Sequence, residues 1–282
     1  VGSEMCIRDR SRIESVAVEK KEVGRFSLRN IMRYAAIGLL VICAGLGGHL
    51  LTRYSRSVGA EKDYLVFAAK GQKASVVLPD GSKVWLNSDS EIKYTNLYGD
   101  GERIISLDGE AYFEVARNEK CPFVVRTHAM DIEVLGTKFN VEAYSAERTF
   151  ATSLMQGKVR VKSPVNEKLA VVLLPHYKTV LKDGKLVVSK IDDYNVYRWK
   201  EGLYCFKNKP FARIMEDLER YYDLKIQLDK KSIEGVVLTG KFRISDGLDY
   251  ALRVLQKDVA FTYRRDKDND VISVSYTHLR AH

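Results

Sequence analysis

Three acidic residues stand close together between Asp108 and Glu114, and they are the residues best placed for acid–base chemistry. In an extended strand Glu110, Tyr112 and Glu114 share one face, so the two glutamates could come within reach of each other. Two such carboxylates can serve as a general acid and a general base. No acid–base partner is fixed nearby in sequence, and the alternative is a strand face that meets solvent. We favour that alternative and expect no catalytic residue here.

The other residue types that carry chemistry are isolated in the sequence. His128 and His176 stand alone, and no Cys or His lies at the spacing of metal ligands. Gly136 precedes no helical pattern, so it predicts a bulge or a close backbone approach rather than a phosphate-binding loop. The GxSxG motif of serine hydrolases is absent from the sequence. The sequence therefore predicts no metal, no cofactor and no enzyme.

Two cysteines could form a disulfide in an oxidising compartment. A bond between Cys121 and Cys205 would link the two folded regions described below. The alternative is two separately buried thiols. We favour separate thiols, because both cysteines lie within strand-like apolar sequence.

Short β-type runs fill residues 73–195 and are separated by turn signals. The runs recur about every 8–12 residues, a spacing typical of all-β domains. Asp-Gly pairs between them supply the positive φ of tight turns, as at Asp80-Gly81, Asp108-Gly109 and Asp183-Gly184. We therefore expect a mainly β, sandwich-like domain over residues 73–195.

The pattern changes to helices and strands in residues 203–274. Apolar residues recur at helical spacing after Pro210, and a second helical pattern follows Ser245 as a candidate N-cap. Strand-like runs stand on both sides of each helical pattern. This order predicts a small α+β module in which a strand–helix–strand unit occurs twice, and the fold class of the whole chain is α+β.

An uncharged apolar run of 18 residues, 34–51, precedes the β-rich region. As a helix it would span about 27 Å, close to the hydrocarbon core of a bilayer. Eight Lys and Arg residues against five acids stand in residues 1–33, so the positive-inside rule places that segment in the cytoplasm. A cleaved signal peptide is the alternative, but Arg53 and Arg56 stand where its cleavage site is expected. We predict a single transmembrane helix at 34–51 and a polar linker at 52–72.

The net charge of +9 does not indicate nucleic-acid binding. Beyond residue 51 basic and acidic residues are interleaved, and no basic stripe with stacking aromatic residues occurs. Residues 1–10 and 275–282 resemble translated sequencing-adapter read-through, and we expect both to be artefactual. In that case the cytoplasmic segment is truncated here.

Five blocks of sequence, in this order and spacing, resemble the FecR domain. They are LPDGSKVWLNSDSEIKY (78–94), ISLDGEAYFEVARN (105–118), PFVVRT (122–127), VLGTKFNVEAY (134–144) and LMQGKVRV (154–161). We expect their family motif residues to be structural: Leu78, Asp80, Gly81, Gly109, Glu110, Tyr112, Phe113, Glu114, Val115, Pro122, Phe123, Leu135, Gly136, Thr137, Phe139, Asn140 and Val141. The sequence after residue 203 resembles the STN-like C-terminal module that follows this domain in Bacteroidetes-type members.

The resemblance implies an anti-sigma factor in the bacterial inner membrane, with its N-terminus in the cytoplasm and its bulk in the periplasm. FecR-like proteins bind an extracytoplasmic-function sigma factor in the cytoplasm and no nucleic acid directly. In the periplasm they receive the signalling domain of an outer-membrane TonB-dependent transducer, often one that takes up an iron chelate or a glycan.

The docking surface for the transducer is expected in the C-terminal module. Strand addition at an open sheet edge is an economical way to recognise a folded partner, and the run with Val236, Leu238, Gly240 and Phe242 is a candidate edge. The alternative function is a membrane-anchored periplasmic binding or scaffold protein without a role in transcription.

Overall fold

The structure, a computed structural model, describes residues 28–57, 62–95, 98, 101–228, 235–266 and 271–276. Residues 1–10, most of the predicted cytoplasmic segment and residues 277–282 lie outside the described part. Residues 275 and 276 were expected in the artefactual tail, but they belong to the last strand of the fold. The chain divides into two compact units, residues 1–60 and 61–282.

A single long helix, α1, spans Leu28–Ser57 in the first unit. Its segment Met32–His49, with a mean hydropathy of 1.3, is long and apolar enough to cross a membrane by length and composition. The helix extends beyond the predicted 34–51 at both ends, because neither flank contains a helix-breaking Gly or Pro. Residues 52–57 are therefore helical, and the prediction of a linker that starts at residue 52 is wrong.

Thirteen strands of the described residues in the second unit form one continuous sheet. They are Asp63–Ala68 (β1), Ala74–Val77 (β2), Lys83–Leu86 (β3), Ser90–Thr95 (β4), Arg103–Glu114 (β5), Phe123–Arg126 (β6), Asp131–Val134 (β7), Lys138–Ala143 (β8), Ala151–Gln156 (β9), Val159–Lys162 (β10), Ala170–Leu173 (β11), Tyr177–Lys182 (β12) and Lys185–Lys190 (β13). Strand β1 falls inside the predicted linker 52–72. Its sequence DYLVFA is rich in β-forming residues and pairs with β4 in antiparallel register.

The sheet folds over on itself into a near-closed, barrel-like shape. Its order is β11-β10-β7-β6-β5-β8-β9-β12-β13, and β4-β1 and β3-β2 branch from β5. Among the described strands of this sheet, only β5 and β6 pair in parallel. The mainly β prediction is confirmed, but the two layers expected of a sandwich are continuous through β5.

Strand β5 passes from one layer to the other at Gly109. Its first half pairs with β4 and β6, and its second half pairs with β3 and β8. Gly109 has φ +109°, and a Cβ built there would lie 2.3 Å from the Ser90 Oγ. Asp108-Gly109 was expected to end a strand in a hairpin. The positive φ instead bends a strand that continues, so that prediction is wrong.

The core of the β domain lies between the two layers. Phe113, from the second half of β5, stacks on Phe139 with ring centroids 4.9 Å apart. It also meets Phe123 of the other layer edge-on, at 6.1 Å. All three rings are fully buried, and each stabilises the fold by about 1.5–3 kcal/mol relative to exposure.

A 3-10 helix, Asn195–Glu201, leads into the C-terminal module. The module consists of Leu203–Pro210 (β14), Phe211–Tyr222 (α2), Lys225–Leu228 (β15), Val237–Arg243 (β16), Leu248–Leu255 (α3), Phe261–Asp266 (β17) and Val271–Tyr276 (β18). Strands β14 and β16 form one sheet, and β15, β18 and β17 form a second. Both predicted helices and their flanking strands are present, with Ser245 in a 3-10 turn rather than at a helix N-cap.

Candidate functional site

The outer face of the β domain is covered by the C-terminal module around Glu110. Glu110 and Glu142 are directly opposite each other in the register of β5 and β8. Residues paired in this way have Cβ atoms about 4.5–5.5 Å apart, and two like charges so placed repel each other. Burial alternates along β5 only as far as Glu110, but in the second half of the strand Glu110, Tyr112 and Glu114 pair in register with Glu142, Asn140 and Lys138 of β8, as the predicted shared face requires. The expectation of a solvated face is wrong at Glu110, because polar groups of two domains surround its carboxylate.

Two asparagines hold the Glu110 carboxylate. Asn87 Nδ2 donates to one oxygen at 2.7 Å, and Asn140 Nδ2 donates to the other at 2.9 Å. Burial and the neighbouring Glu142 carboxylate raise the pKa of Glu110 to about 7, although these two hydrogen bonds oppose the rise. Glu110 therefore changes its charge near neutral pH.

A buried charged network faces this carboxylate from helix α2. Asp217 accepts hydrogen bonds from Tyr204, Lys209 and Arg220. Burial raises the pKa of Asp217 despite these donors. Arg220 also pairs with Glu147 of the β domain, and its guanidinium lies 4.3 Å from the centroid of the Tyr144 ring. The network thus joins the two domains through Arg220.

Further hydrogen bonds connect the module with the start of the β domain. Gly71 N–H donates to the Arg220 carbonyl at 2.8 Å, and Asn87 Nδ2 donates to the Tyr221 hydroxyl at 3.1 Å. From the connecting 3-10 helix, the Tyr197 hydroxyl donates to Ser153 Oγ at 2.7 Å. The interface is therefore held mainly by polar contacts, as is typical of interfaces between domains that can separate.

A cavity of about 340 Å³ lies between the domains at this place. Glu110, Asn140 and Glu142 contribute to its wall from the β domain. Strand β14 and helix α2 contribute the opposite wall, with several basic and aromatic side chains. No group of three or more His, Cys, Asp or Glu side chains in the described part of the chain could hold a metal ion. The polar and aromatic side chains of the wall suit recognition of a polar group.

Comparison with known proteins connects both domains with one family. The family described as "FecR protein" matches residues 65–160, and "FecR, C-terminal" matches residues 203–273. Two crystal structures of a "putative anti-sigma factor from Parabacteroides distasonis ATCC 8503", at 1.65 and 2.50 Å resolution, are each 30% identical to this chain, with TM-scores of 0.69. The matches cover 76% and 77% of this chain and 99% and 100% of those chains. No curated protein matches significantly.

The chain belongs to the FecR family. The resemblance predicted from the five sequence blocks and from the C-terminal module is thereby confirmed. The two family segments correspond to the β domain and to the module that covers Glu110. The candidate site thus lies where the two parts of a FecR protein meet.

The FecR motif residues fall into groups with different structural positions. The buried core contains Leu78, Phe113, Val115, Phe123, Phe139 and Val141, whereas Leu135 and Pro122 are exposed. Asp80 and Gly81 form the turn between β2 and β3, where Asp80 accepts hydrogen bonds from Ser82. A Cβ at Gly136 would lie 2.8 Å from the Arg117 Cα, which agrees with the predicted close backbone approach.

Three other motif residues lie near the domain interface or in a β-domain turn. Tyr112 is buried, with Lys200 Nζ of the 3-10 helix 3.8 Å from its ring centroid. Glu114 pairs with Lys138 at 3.6 Å and takes no part in the cavity wall. Thr137 Oγ1 donates to the Lys158 carbonyl at 3.1 Å.

The candidate partner-binding strand is β16, which forms a two-stranded sheet with β14. Leu238 and Phe242 point into the core of the module, and a Cβ at Gly240 would meet the Phe206 ring at 2.9 Å. Val236, half-buried, directly precedes the strand. Outward-facing residues of β16 are Val237, Thr239, Lys241 and Arg243. A partner at this strand would therefore meet its main chain and these outward side chains, rather than Leu238 or Phe242.

The two candidate cysteines are separate thiols. Cys121 is half-buried, and its Sγ donates to the Gly101 carbonyl at 3.4 Å. Cys205 is buried in β14. The structure therefore contains no bond between them, and only Cys205 is as buried as we expected.

The sequence did not single out Glu142, Asp217 or Arg220. Asp217 and Arg220 lie on helix α2, and Arg220 contacts Glu147 of the β domain. Tyr112, Asn140 and Tyr144 could have indicated that the outer face of the β domain is covered. An outer strand face rich in aromatic and amide side chains is unusual for a surface that meets only water.

Proposed function

We propose that this FecR family protein is a non-enzymatic regulator of an extracytoplasmic-function sigma factor, anchored in the bacterial inner membrane. Membership of the family carries the proposal, together with the likeness to the Parabacteroides protein described as an anti-sigma factor. Helix α1 supports the anchor, and the basic residues before it favour a cytoplasmic N-terminus. Residues beyond the helix then fold in the periplasm.

Sigma-factor binding is tested by co-purification from membranes. The chain with its natural cytoplasmic sequence restored before residue 11 should retain, in detergent, a sigma factor encoded beside its gene, and a variant without the residues before 34 should lose it. Retention by both forms, or by neither, would contradict the proposal.

The orientation has a separate test. Protease added to spheroplasts should degrade residues 62–276, because they are exposed on the outer side of the inner membrane. Protection of this part while the bilayer remains intact would contradict the proposed topology, whatever the sigma factor does.

We further propose that the C-terminal module receives the signalling domain of a TonB-dependent transducer. Strand β16 supports this, since its outward side chains include Val237, which is 54% exposed. A charge at Val237 should interfere with strand addition, whereas the same change at Val172 of β11, which is 51% exposed in the β domain, provides a matched control.

Capture of a purified transducer domain by the chain tests this docking site. Val237→Asp should weaken capture at least tenfold, and Val172→Asp should leave it unchanged. Equal capture by both variants would exclude β16 as the docking edge.

A further inference from the structure

We propose that the cavity between the β domain and the C-terminal module binds a compact organic cation, an ammonium or guanidinium group, between Glu110 and Glu142. The inference concerns the charges, hydrogen-bonding groups and size of the cavity. It does not depend on the sigma-factor role.

The charges around the cavity leave two carboxylates unpaired. Lys178 and Lys207 each lie 3.6 Å from a carboxylate oxygen of Asp192. The other two basic residues of the wall, Lys209 and Arg220, both pair with Asp217, and Lys209 is also attracted by Glu142 and Glu110 at longer range.

Neither Glu110 nor Glu142 has an ion-pair partner within the described ranges of the chain. The Glu110 carboxylate accepts hydrogen bonds from the two asparagine amides, and Lys73 attracts it without forming an ion pair. A cation between the two glutamates would remove the repulsion that their paired register creates.

A buried acceptor beside the carboxylates also lacks a donor. Asn140 is 4% exposed and lines the cavity. Its Nδ2 donates to Glu110, but its Oδ1 has no hydrogen-bond partner in the described structure. A buried acceptor without a partner costs about 1–3 kcal/mol. If the Asn140 amide turned its oxygen toward the cavity, the N–H groups of an ammonium or guanidinium ion would supply the missing donor and bind Glu110 in place of Nδ2.

Aromatic side chains complete the cavity wall and suit the same ligand. Tyr197, Trp199, Tyr204 and Tyr221 all contribute to it. Aromatic rings attract cations by roughly 0.5–2 kcal/mol each, more when water is excluded. The volume of about 340 Å³ falls within the range of small-ligand pockets. Lys207 and Asn208, which are exposed, also line the cavity, so it can be reached from solvent.

The proposal is tested by calorimetric titration of the full chain in detergent micelles. Methylguanidinium and propylammonium should each bind with saturation, and urea, a neutral molecule of similar size with N–H donors, should not. Glu142→Gln should weaken binding of both cations at least tenfold. The variant should still fold, because Glu142 forms no side-chain hydrogen bond or ion pair in the described structure and its neutralisation relieves the repulsion with Glu110.

Glu114→Gln is the matched control, because Glu114 lies on the same face of β5 but outside the cavity. This variant should bind both cations as the unchanged chain does. The proposal is overturned if neither cation saturates, if urea binds equally well, or if Glu114→Gln weakens binding as much as Glu142→Gln.

A short peptide distinguishes the two possible sources of the cation, an arginine side chain of a partner protein and a free small molecule. A blocked Gly-Arg-Gly peptide that binds at least as tightly as methylguanidinium would indicate an arginine side chain of a partner protein. Exclusion of the peptide, with methylguanidinium binding retained, would indicate a free small cation. Both outcomes require Glu142 and support the cavity as a cation site.

Discussion

At the scale of single residues, Arg103 shows how one buried guanidinium organises a region of loops. Its side chain is 2% exposed and pairs with Asp80 at 3.1 Å. It also donates to the carbonyls of Ala116, Asn118 and Cys121. One side chain at the start of β5 thus holds the β2–β3 turn against the segment that leads into β6.

Replacement of Arg103 should be strongly destabilising. Arg103→Ala is expected to lower the free energy of unfolding by about 3–5 kcal/mol, because it leaves a buried carboxylate and several carbonyls without donors. Lys93→Ala is the control, since its pair with Glu91 is exposed and contributes little to stability. Urea unfolding measures both. Similar losses in the two variants would contradict the role of Arg103.

The Glu110 carboxyl should give the stability a specific pH dependence. Its pKa rises from the usual 4.5 to about 7 in the folded chain. As the pH increases between these values, the unfolded chain releases this proton while the folded chain keeps it. The contribution of this group to stability is therefore present at low pH and is lost as the pH rises through the pKa of the folded chain.

Variants at two glutamates separate this effect from the rest of the titration. In Glu110→Gln the free energy of unfolding should decrease less steeply from pH 4.5 to 7 than in the unchanged chain. Glu114→Gln should keep the original slope. Urea unfolding at several pH values measures the slopes, and parallel profiles for all three proteins would be inconsistent with a raised Glu110 pKa.

At the scale of elements, the fold depends on one strand that belongs to both layers. Strand β5 bends at Gly109, where the positive φ and the nearby Ser90 leave no room for a side chain. Gly81 also has a positive φ of +83°, but no atom lies within 4 Å of the position that a Cβ would take there. A substitution at Gly81 would therefore test backbone strain alone, whereas the same substitution at Gly109 would add a steric clash to that strain.

Alanine at these positions should have unequal effects. Gly81→Ala is expected to cost about 1–2 kcal/mol, from the left-handed backbone conformation alone. Gly109→Ala should cost at least about 3 kcal/mol, because its methyl group also collides with Ser90. Thermal unfolding of both variants checks the order. Equal costs would show that Ser90 moves away without penalty.

At the scale of the whole molecule, the two FecR family segments act on each other through a charged interface. Arg220 of the module pairs with Glu147 of the β domain and with Asp217 of its own helix. Partly buried pairs of this kind couple more strongly than exposed ones. The Arg198–Glu201 pair is exposed on both sides and lies within one 3-10 helix.

A double-mutant cycle at Glu147 and Arg220 should reveal this coupling. Glu147→Gln, Arg220→Gln and the double variant are expected to give an interaction energy of about 1–3 kcal/mol in urea unfolding. The same cycle at Arg198 and Glu201 should give a much smaller interaction energy, because solvent screens this exposed pair. A negligible value at Glu147 and Arg220 would mean that the domains do not depend on this contact.

The sequence was informative where the pattern is local. Alternation along β5 correctly placed Glu110 and Tyr112 on one face, and helical spacing located α2 and α3. It could not show that this face is covered, because the register of Glu110 with Glu142 and the position of Asp217 depend on contacts between distant segments. The Asp108-Gly109 pair misled for a related reason: it specifies a backbone angle, and only long-range pairing decides whether the strand ends there.

The hydrogen bond from the Gly71 N–H to the Arg220 carbonyl connects the end of helix α2 directly with the chain segment just after β1. That segment is only 14 residues beyond Ser57, the last residue of α1. A displacement of α2 would therefore reach the start of the β domain without first deforming the aromatic core. Because donor and acceptor both belong to the main chain, this link would survive replacement of the Arg220 side chain.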